Sequence, residues 1–315
     1  MKPLFQKNLK IIFAPANLGY IKSNTAEFPA YLIKKGLFKM LDSLNIKYEK
    51  KGTIKTAKVK PESFGSQKCK FGKQIAAFNR KLAGKVSESI KNKNDFPLII
   101  GGDHSNAIGT IAGVLSKRKK LGLLWLDAHP DIHTHKTTQT GWVYGMSLAA
   151  ICGHGENKFL KLFKNSFVDP KKTVIFAAQY IDKKEYENIE KFGVHLITIN
   201  DIVEQGIGKC LQKAIKIITK NTDYAHLSLD LDVIDERFAP GTPEYSLGQL
   251  TYREIKYVLK KLAEKKLINS MDIVEGDPQK DIQGKTAGLT LELIAALLGK
   301  SYSPYDQYLA ENKIK

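Results

Sequence analysis

The sequence predicts an α/β fold built on a parallel sheet, and three observations carry the prediction. Short apolar runs recur along the chain, separated by longer stretches with helical periodicity. Most of these runs are apolar without alternation, as strands covered on both faces must be. The acids and histidines gather directly after several of the runs, where open α/β sheets place their ligands.

The elements follow in order. Leu-Lys-Ile-Ile-Phe at 9–13 reads as the first strand, ahead of an amphipathic helix at 30–44. A second helix at 71–90 leads to the strand Pro-Leu-Ile-Ile at 97–100, then a helix at 107–118. Leu-Gly-Leu-Leu-Trp-Leu at 121–126, Thr-Val-Ile-Phe-Ala at 173–177 and His-Leu-Ile-Thr at 195–198 are the next strands, followed by a helix at 207–219. Strands at 224–231 and 268–274 enclose a helix at 252–265, and a last helix is expected at 289–298.

A length of 315 residues suits one domain with a substantial core, here 1–315 with a polar, Tyr-bearing tail at 301–315. There is no run of eighteen apolar residues, and the first residues lack a signal-like apolar region, so a cytoplasmic protein with no membrane partner is expected. Cys69, Cys152 and Cys210 are far apart and odd in number, which argues against disulfides and thiolate zinc sites. The net charge of +18 raises a polyanion-binding role. The lysines are scattered and not interleaved with aromatics, so a solvated Lys-rich surface is the reading and no specific nucleic-acid partner is expected.

Three strands deliver chemistry at one sheet edge: 97–100 runs into Gly-Gly-Asp-His-Ser, 123–126 into Asp-Ala-His-Pro-Asp, and 227–229 into Asp-Leu-Asp. Asp127, His129 and Asp131 alternate, which in an extended segment would point them the same way, and Asp230 and Asp232 repeat the spacing. With His104 they make four carboxylates and two imidazoles, a donor set that suits two Mn²⁺ ions better than zinc. Two such cations would neutralise four clustered acids. An EF-hand reading fails, because that loop needs Gly and Glu where this chain has Asp235 and Gly241.

Four ordered motifs, Gly-Gly-Asp-His-Ser at 101–105, Asp-Ala-His-Pro-Asp at 127–131, Ser-Leu-Asp-Leu-Asp-Val-Ile-Asp at 228–235 and Asp-Ile-Val-Glu at 272–275, resemble the arginase or ureohydrolase family. The N-terminal Ala-Asn-Leu-Gly and Phe28-Pro29-Ala30-Tyr31-Leu32 extend the resemblance over nearly the whole chain. It implies a three-layer αβα fold with a central eight-stranded parallel sheet, two Mn²⁺ per subunit bridged by hydroxide, and a homo-oligomer, trimer or hexamer. By the same resemblance His104, Asp127, Asp131 and Asp230 serve one ion, while His129, Asp127, Asp230 and Asp232 serve the other. Asp131 then passes a proton to the leaving amine, and Glu275 pairs with the guanidinium.

The substrate implied is L-arginine, cleaved to L-ornithine and urea. Asn106-Ala107-Ile108-Gly109 and Gln249 to Glu254 are similar to the arginase subgroup, and Asp182 with Glu185 matches its pair for the α-amino group. The alternatives are an agmatinase, guanidinobutyrase or formimidoylglutamase, or a metal-binding pseudoenzyme. In the loop 133–146, His133 and Thr140 stand where that family binds the α-carboxylate, and both can donate hydrogen bonds. Tyr144 stands where a proton-shuttling histidine is expected. A phenol of reference pKa about 10 relays protons poorly, so slower turnover or a more alkaline optimum is expected.

Overall fold

The computed structural model describes residues 5–244 and 247–302. All seven expected strands form, and an eighth joins them in one sheet: β1 (Asn8–Ala14), β2 (Tyr48–Thr53), β3 (Asp95–Gly101), β4 (Leu121–Leu126), β5 (Thr173–Ala178), β6 (His195–Thr198), β7 (Tyr224–Asp230) and β8 (Ser270–Val274). Their order is β2-β1-β3-β8-β7-β4-β5-β6, and every pairing is parallel. The strand missing from the sequence reading is β2, Tyr-Glu-Lys-Lys-Gly-Thr. As an edge strand it pairs only with β1 and stays partly exposed, so it needs no apolar run to announce it.

Side chains of each central strand alternate between two apolar layers. Leu9, Ile11 and Phe13 of β1 face one core, Ile12 and Ala14 the other. Helices Gly72–Ser89 and Asn106–Leu115 cover the second face through Ile75, Phe78 and Ile108. Helices Ile207–Thr219, Tyr252–Glu264 and Lys285–Leu297 cover the first through Leu211, Val258 and Leu293. The result is the expected three-layer αβα arrangement.

Several boundaries differ from expectation. The helix expected at 30–44 is two, Phe28–Lys34 and Leu37–Ser43, because Gly36 takes φ 106° between them. Helices Lys183–Phe192 and Ile199–Gln205 carry few apolar residues, and their sequence signal is instead a capping box at each start, Asp182 with Glu185 and Thr198 with Asp201. The tail called at 301–315 lies outside the described residues from 303 onward. The three cysteines are buried and unpaired. Among the described residues no helix is long and apolar enough to cross a membrane.

The four adjacent strands β3, β8, β7 and β4 all run the same way, so the segments after them meet at one edge of the sheet.

Candidate metal centre

The acids converge through turns and not through strand alternation, which corrects the sequence reading. Strand β4 ends at Leu126, and Asp127 then folds the chain back by accepting a hydrogen bond from the His129 amide at 2.7 Å. Asp131 stands at φ 51°, a left-handed conformation, with its carbonyl held by the Leu148 amide at 3.0 Å. After β7, Asp230 accepts from the Asp232 amide at 2.9 Å, so Asp232 sits on a 3-10 turn, Leu231–Val233, and not on the strand.

These turns bring all six expected residues together. His104 Nδ1 lies 3.0 Å from Asp127 Oδ2, 3.1 Å from Asp131 Oδ2 and 3.0 Å from Asp230 Oδ2. His129 Nδ1 lies 2.9 Å from Asp232 Oδ2 and 3.6 Å from Asp127 Oδ1. Asp127 therefore faces both imidazoles. Although fully buried and ringed by three carboxylate oxygens, His104 Nδ1 makes no hydrogen bond of acceptable geometry. This nitrogen points into the space between the acids, as a cation ligand's would.

The electrostatics agree. Burial, followed by the neighbouring Asp127, pushes the Asp131 carboxyl up to about 7. Burial and then Asp232 and Asp127 hold Asp230 well above the usual carboxylate range. Burial alone would lower the two imidazoles, but the surrounding carboxylates outweigh it and raise both His104 and His129. Four buried acids crowded in this way lack enough positive charge, and two divalent cations fit the deficit.

A polar ladder beneath the centre fixes the His104 tautomer. Ser228 Oγ donates to Asp272 Oδ1 at 2.6 Å, so its one proton is spent. It must then accept from His104 Nε2, 2.9 Å away, so that in the neutral imidazole the lone pair is on Nδ1, toward the acids. The other oxygen of Asp272 meets His226 Nε2 at 3.2 Å, and His226 Nδ1 meets Ser270 Oγ at 2.7 Å. The Trp125 ring stacks on His104 at 3.9 Å and donates to Asp127 Oδ2 at 2.9 Å. Sequence reading missed these supporting roles. Their signal was the polar residues at every second position of otherwise apolar strands, His226, Ser228 and Asp230 on β7 and Ser270 and Asp272 on β8.

Glu275 follows β8 at φ 60°. Its Oε1 accepts from the His104 amide at 2.6 Å, while its Oε2 is buried without a partner. A cavity of about 240 Å³ opens beside the centre, lined by His129, Asp131, Thr140, Tyr144, Asp182 and Glu185 among others. His133 also lines it, but both ring nitrogens are engaged within the protein, Nδ1 with Thr137 Oγ1 at 3.1 Å and Nε2 with Asp182 Oδ2 at 3.0 Å. As placed, His133 orients Asp182 and has no N–H left for the carboxylate role expected of it. Asp182 and Glu185 cap their helix and face the cavity as well, and burial pushes the Glu185 carboxyl up to about 8, with the charge of Asp131 adding to it. The Tyr144 hydroxyl donates to Glu244 Oε1 at 3.1 Å. Burial, then Glu244, Glu275 and Asp131, raise this phenol above its ordinary value, which favours its protonated form.

The model of the Arginase family matches residues 8–299. The chain belongs to the arginase family. It is thus a hydrolase of amidino or guanidino groups from a family of binuclear metal enzymes. This family member is 33% identical to the arginase of Bacillus caldovelox over 296 residues, 93% of this chain and 99% of the relative. The solved structure of that arginase superposes with a TM-score of 0.89 at 32% identity, covering 95% of this chain and all of the other. An arginase of Staphylococcus aureus (strain COL) is 34% identical over 94% of this chain and 98% of its own length. The Entamoeba histolytica arginase, solved in complex with L-ornithine, superposes with a TM-score of 0.85 at 27% identity, covering 93% of this chain and 99% of that one.

Proposed function

We propose that the chain is a cytoplasmic, homo-oligomeric arginase that holds two Mn²⁺ per subunit and hydrolyses L-arginine to L-ornithine and urea. The observation that carries this reading is that one cavity is lined by Asp131 and His129 of the metal centre and by Asp182 and Glu185. A substrate can then have its guanidinium at the centre and its α-amino group at the acidic pair. Nitrogen and oxygen donors without any thiolate suit manganese. Bound there, two divalent ions supply Lewis acidity and lower the pKa of a water toward neutrality.

The side chains do the rest. Glu275 presents its unpartnered Oε2 to the guanidinium, whose planar N–H groups match a carboxylate and are held in orientation by it. Asp131 accepts a proton from the nucleophilic water and delivers it to the departing amine, as a carboxylate facing both can. Thr140 donates to the α-carboxylate. A second reading, an agmatine-type substrate without that carboxylate, draws support from the fully engaged His133.

Urea release from arginine, agmatine and guanidinobutyrate, measured side by side on Mn²⁺-loaded protein, tests the proposal. Arginine is expected to be preferred, with activity lost on chelation and in Asp131→Asn. Preference for agmatine, unaffected by Asp182→Ala, would replace arginine as the substrate.

A further inference from the structure

The wall of the cavity at Tyr144 has a chemistry that none of the expected roles describes. A phenol has one proton to donate, and that of Tyr144 goes to Glu244 Oε1 at 3.1 Å. The ring cannot readily turn away, because Tyr20 stacks on it at 5.1 Å and Trp142 packs edge-on against Tyr20 at 5.6 Å. The backbone is held too: Ser147 Oγ donates to the Tyr144 carbonyl at 3.0 Å, and the His133 amide donates to the Gly145 carbonyl at 3.1 Å. Glu244 is seated independently of the tyrosine. The buried Thr242 donates its hydroxyl to the Glu244 carbonyl at 2.9 Å, and Lys280 Nζ donates to the Pro243 carbonyl at 2.5 Å.

Tyr144 lines the cavity, whereas Glu244, its hydrogen-bond acceptor, is not among the lining residues. We infer that Glu244 is a positioning residue: by taking the Tyr144 proton it leaves only the phenol oxygen's lone pairs for the substrate, making Tyr144 an acceptor for a guanidinium N–H. An unpaired phenol could equally turn its proton inward and meet the cation with the wrong polarity. The charges of Glu275 and Asp131 also bear on this phenol, so the accepting oxygen sits in the same negative field that receives the guanidinium. This inference rests on the guanidino reading above, and assigns Glu244 a part in recognising that substrate class.

Four variants test it: Glu244→Ala, Glu244→Gln, Tyr144→Phe, and Tyr144→Phe combined with Glu244→Ala, each checked for an unchanged melting temperature. Glu244→Ala and Tyr144→Phe should each raise KM for arginine about tenfold, as loss of a hydrogen bond to a charged group does, with kcat within about threefold. Glu244→Gln, whose amide oxygen still accepts from the phenol, should stay close to wild type. The double variant should be no worse than either single one, because both remove the same interaction. An unchanged KM in Glu244→Ala, or losses that add in the double variant, would overturn the inference. If wild type releases urea from no guanidino compound, the guanidino reading itself has failed. Calorimetric titration of metal-loaded protein with methylguanidinium chloride then decides alone, since Glu244→Ala must lose affinity where Glu244→Gln keeps it.

Discussion

Asp131 and Glu275 both hold left-handed backbone conformations, at φ 51° and 60°, that cost a non-glycine residue on the order of 1 kcal/mol each. Glu275 adds a second cost. Its carboxyl is buried and held well above the usual range by that burial and by the charges of Asp230 and Asp103, and one oxygen has no partner. Such a residue is kept for what it binds. Replacing Glu275 by Gln should therefore lower kcat/KM for a guanidino substrate by about 10²–10³-fold, the value of two charge-assisted hydrogen bonds, while the melting temperature stays equal or rises. A fall in both together would assign Glu275 to the scaffold. The identity of this residue was legible in Asp-Ile-Val-Glu, and so were all six centre residues in their motifs. What the sequence could not carry was Glu244, because its pairing with Tyr144 spans 100 positions. Nor could it show that His133 is turned to Asp182, since the same residue type would serve either role.

Among the elements, the strands were legible and the polar helices were not, for one physical reason. Strands β3, β4 and β7 are buried along their whole length and had to be apolar runs, whereas β2 and Lys183–Phe192 lie at the margin, where burial imposes little. The exceptions inside buried strands are informative. Register pairs Ser270 with His226 and Asp272 with Ser228 across β8 and β7, so four polar side chains meet within an apolar layer and satisfy one another. Burial would raise the Asp272 carboxyl, but His226 and Ser228 more than reverse it, and it lies below its ordinary value. The ladder ends on His104 Nε2, so its effect should be read at the metal. Ser228→Ala removes the acceptor that fixes the tautomer and should weaken Mn²⁺ binding by at least about tenfold, with a smaller change in KM. Titration calorimetry with the metal checks this, and unaltered affinity would reduce the ladder to packing.

For the whole molecule, the centre ties folding, metal and pH together, and the sign can be worked out. Asp131, Asp230, Glu275 and Glu185 have carboxyls raised in the fold, Asp131 to about 7 and Glu185 to about 8, and both His104 and His129 are raised as well. The metal-free fold thus binds more protons than the unfolded chain, whose carboxyls titrate near 4 and imidazoles near 6.5. Asp127 is shifted the other way, by its histidine partners against its burial, and so acts only in acid, below that window. Stability from the raised groups is full below their unfolded values and is lost as pH rises through the folded ones. Metal binding runs oppositely: its ligands must be deprotonated, so affinity grows with pH, and bound metal stabilises the fold by mass action. Chelator-treated protein should therefore melt about 5 °C or more lower at pH 8 than at pH 6, while Mn²⁺-loaded protein should not follow it down. Groups outside the centre contribute alike to both forms, so the gap between the two melting temperatures isolates the centre. That gap should widen from pH 6 to pH 8, and a gap that narrows would mean that these acids are not the groups that hold the metal.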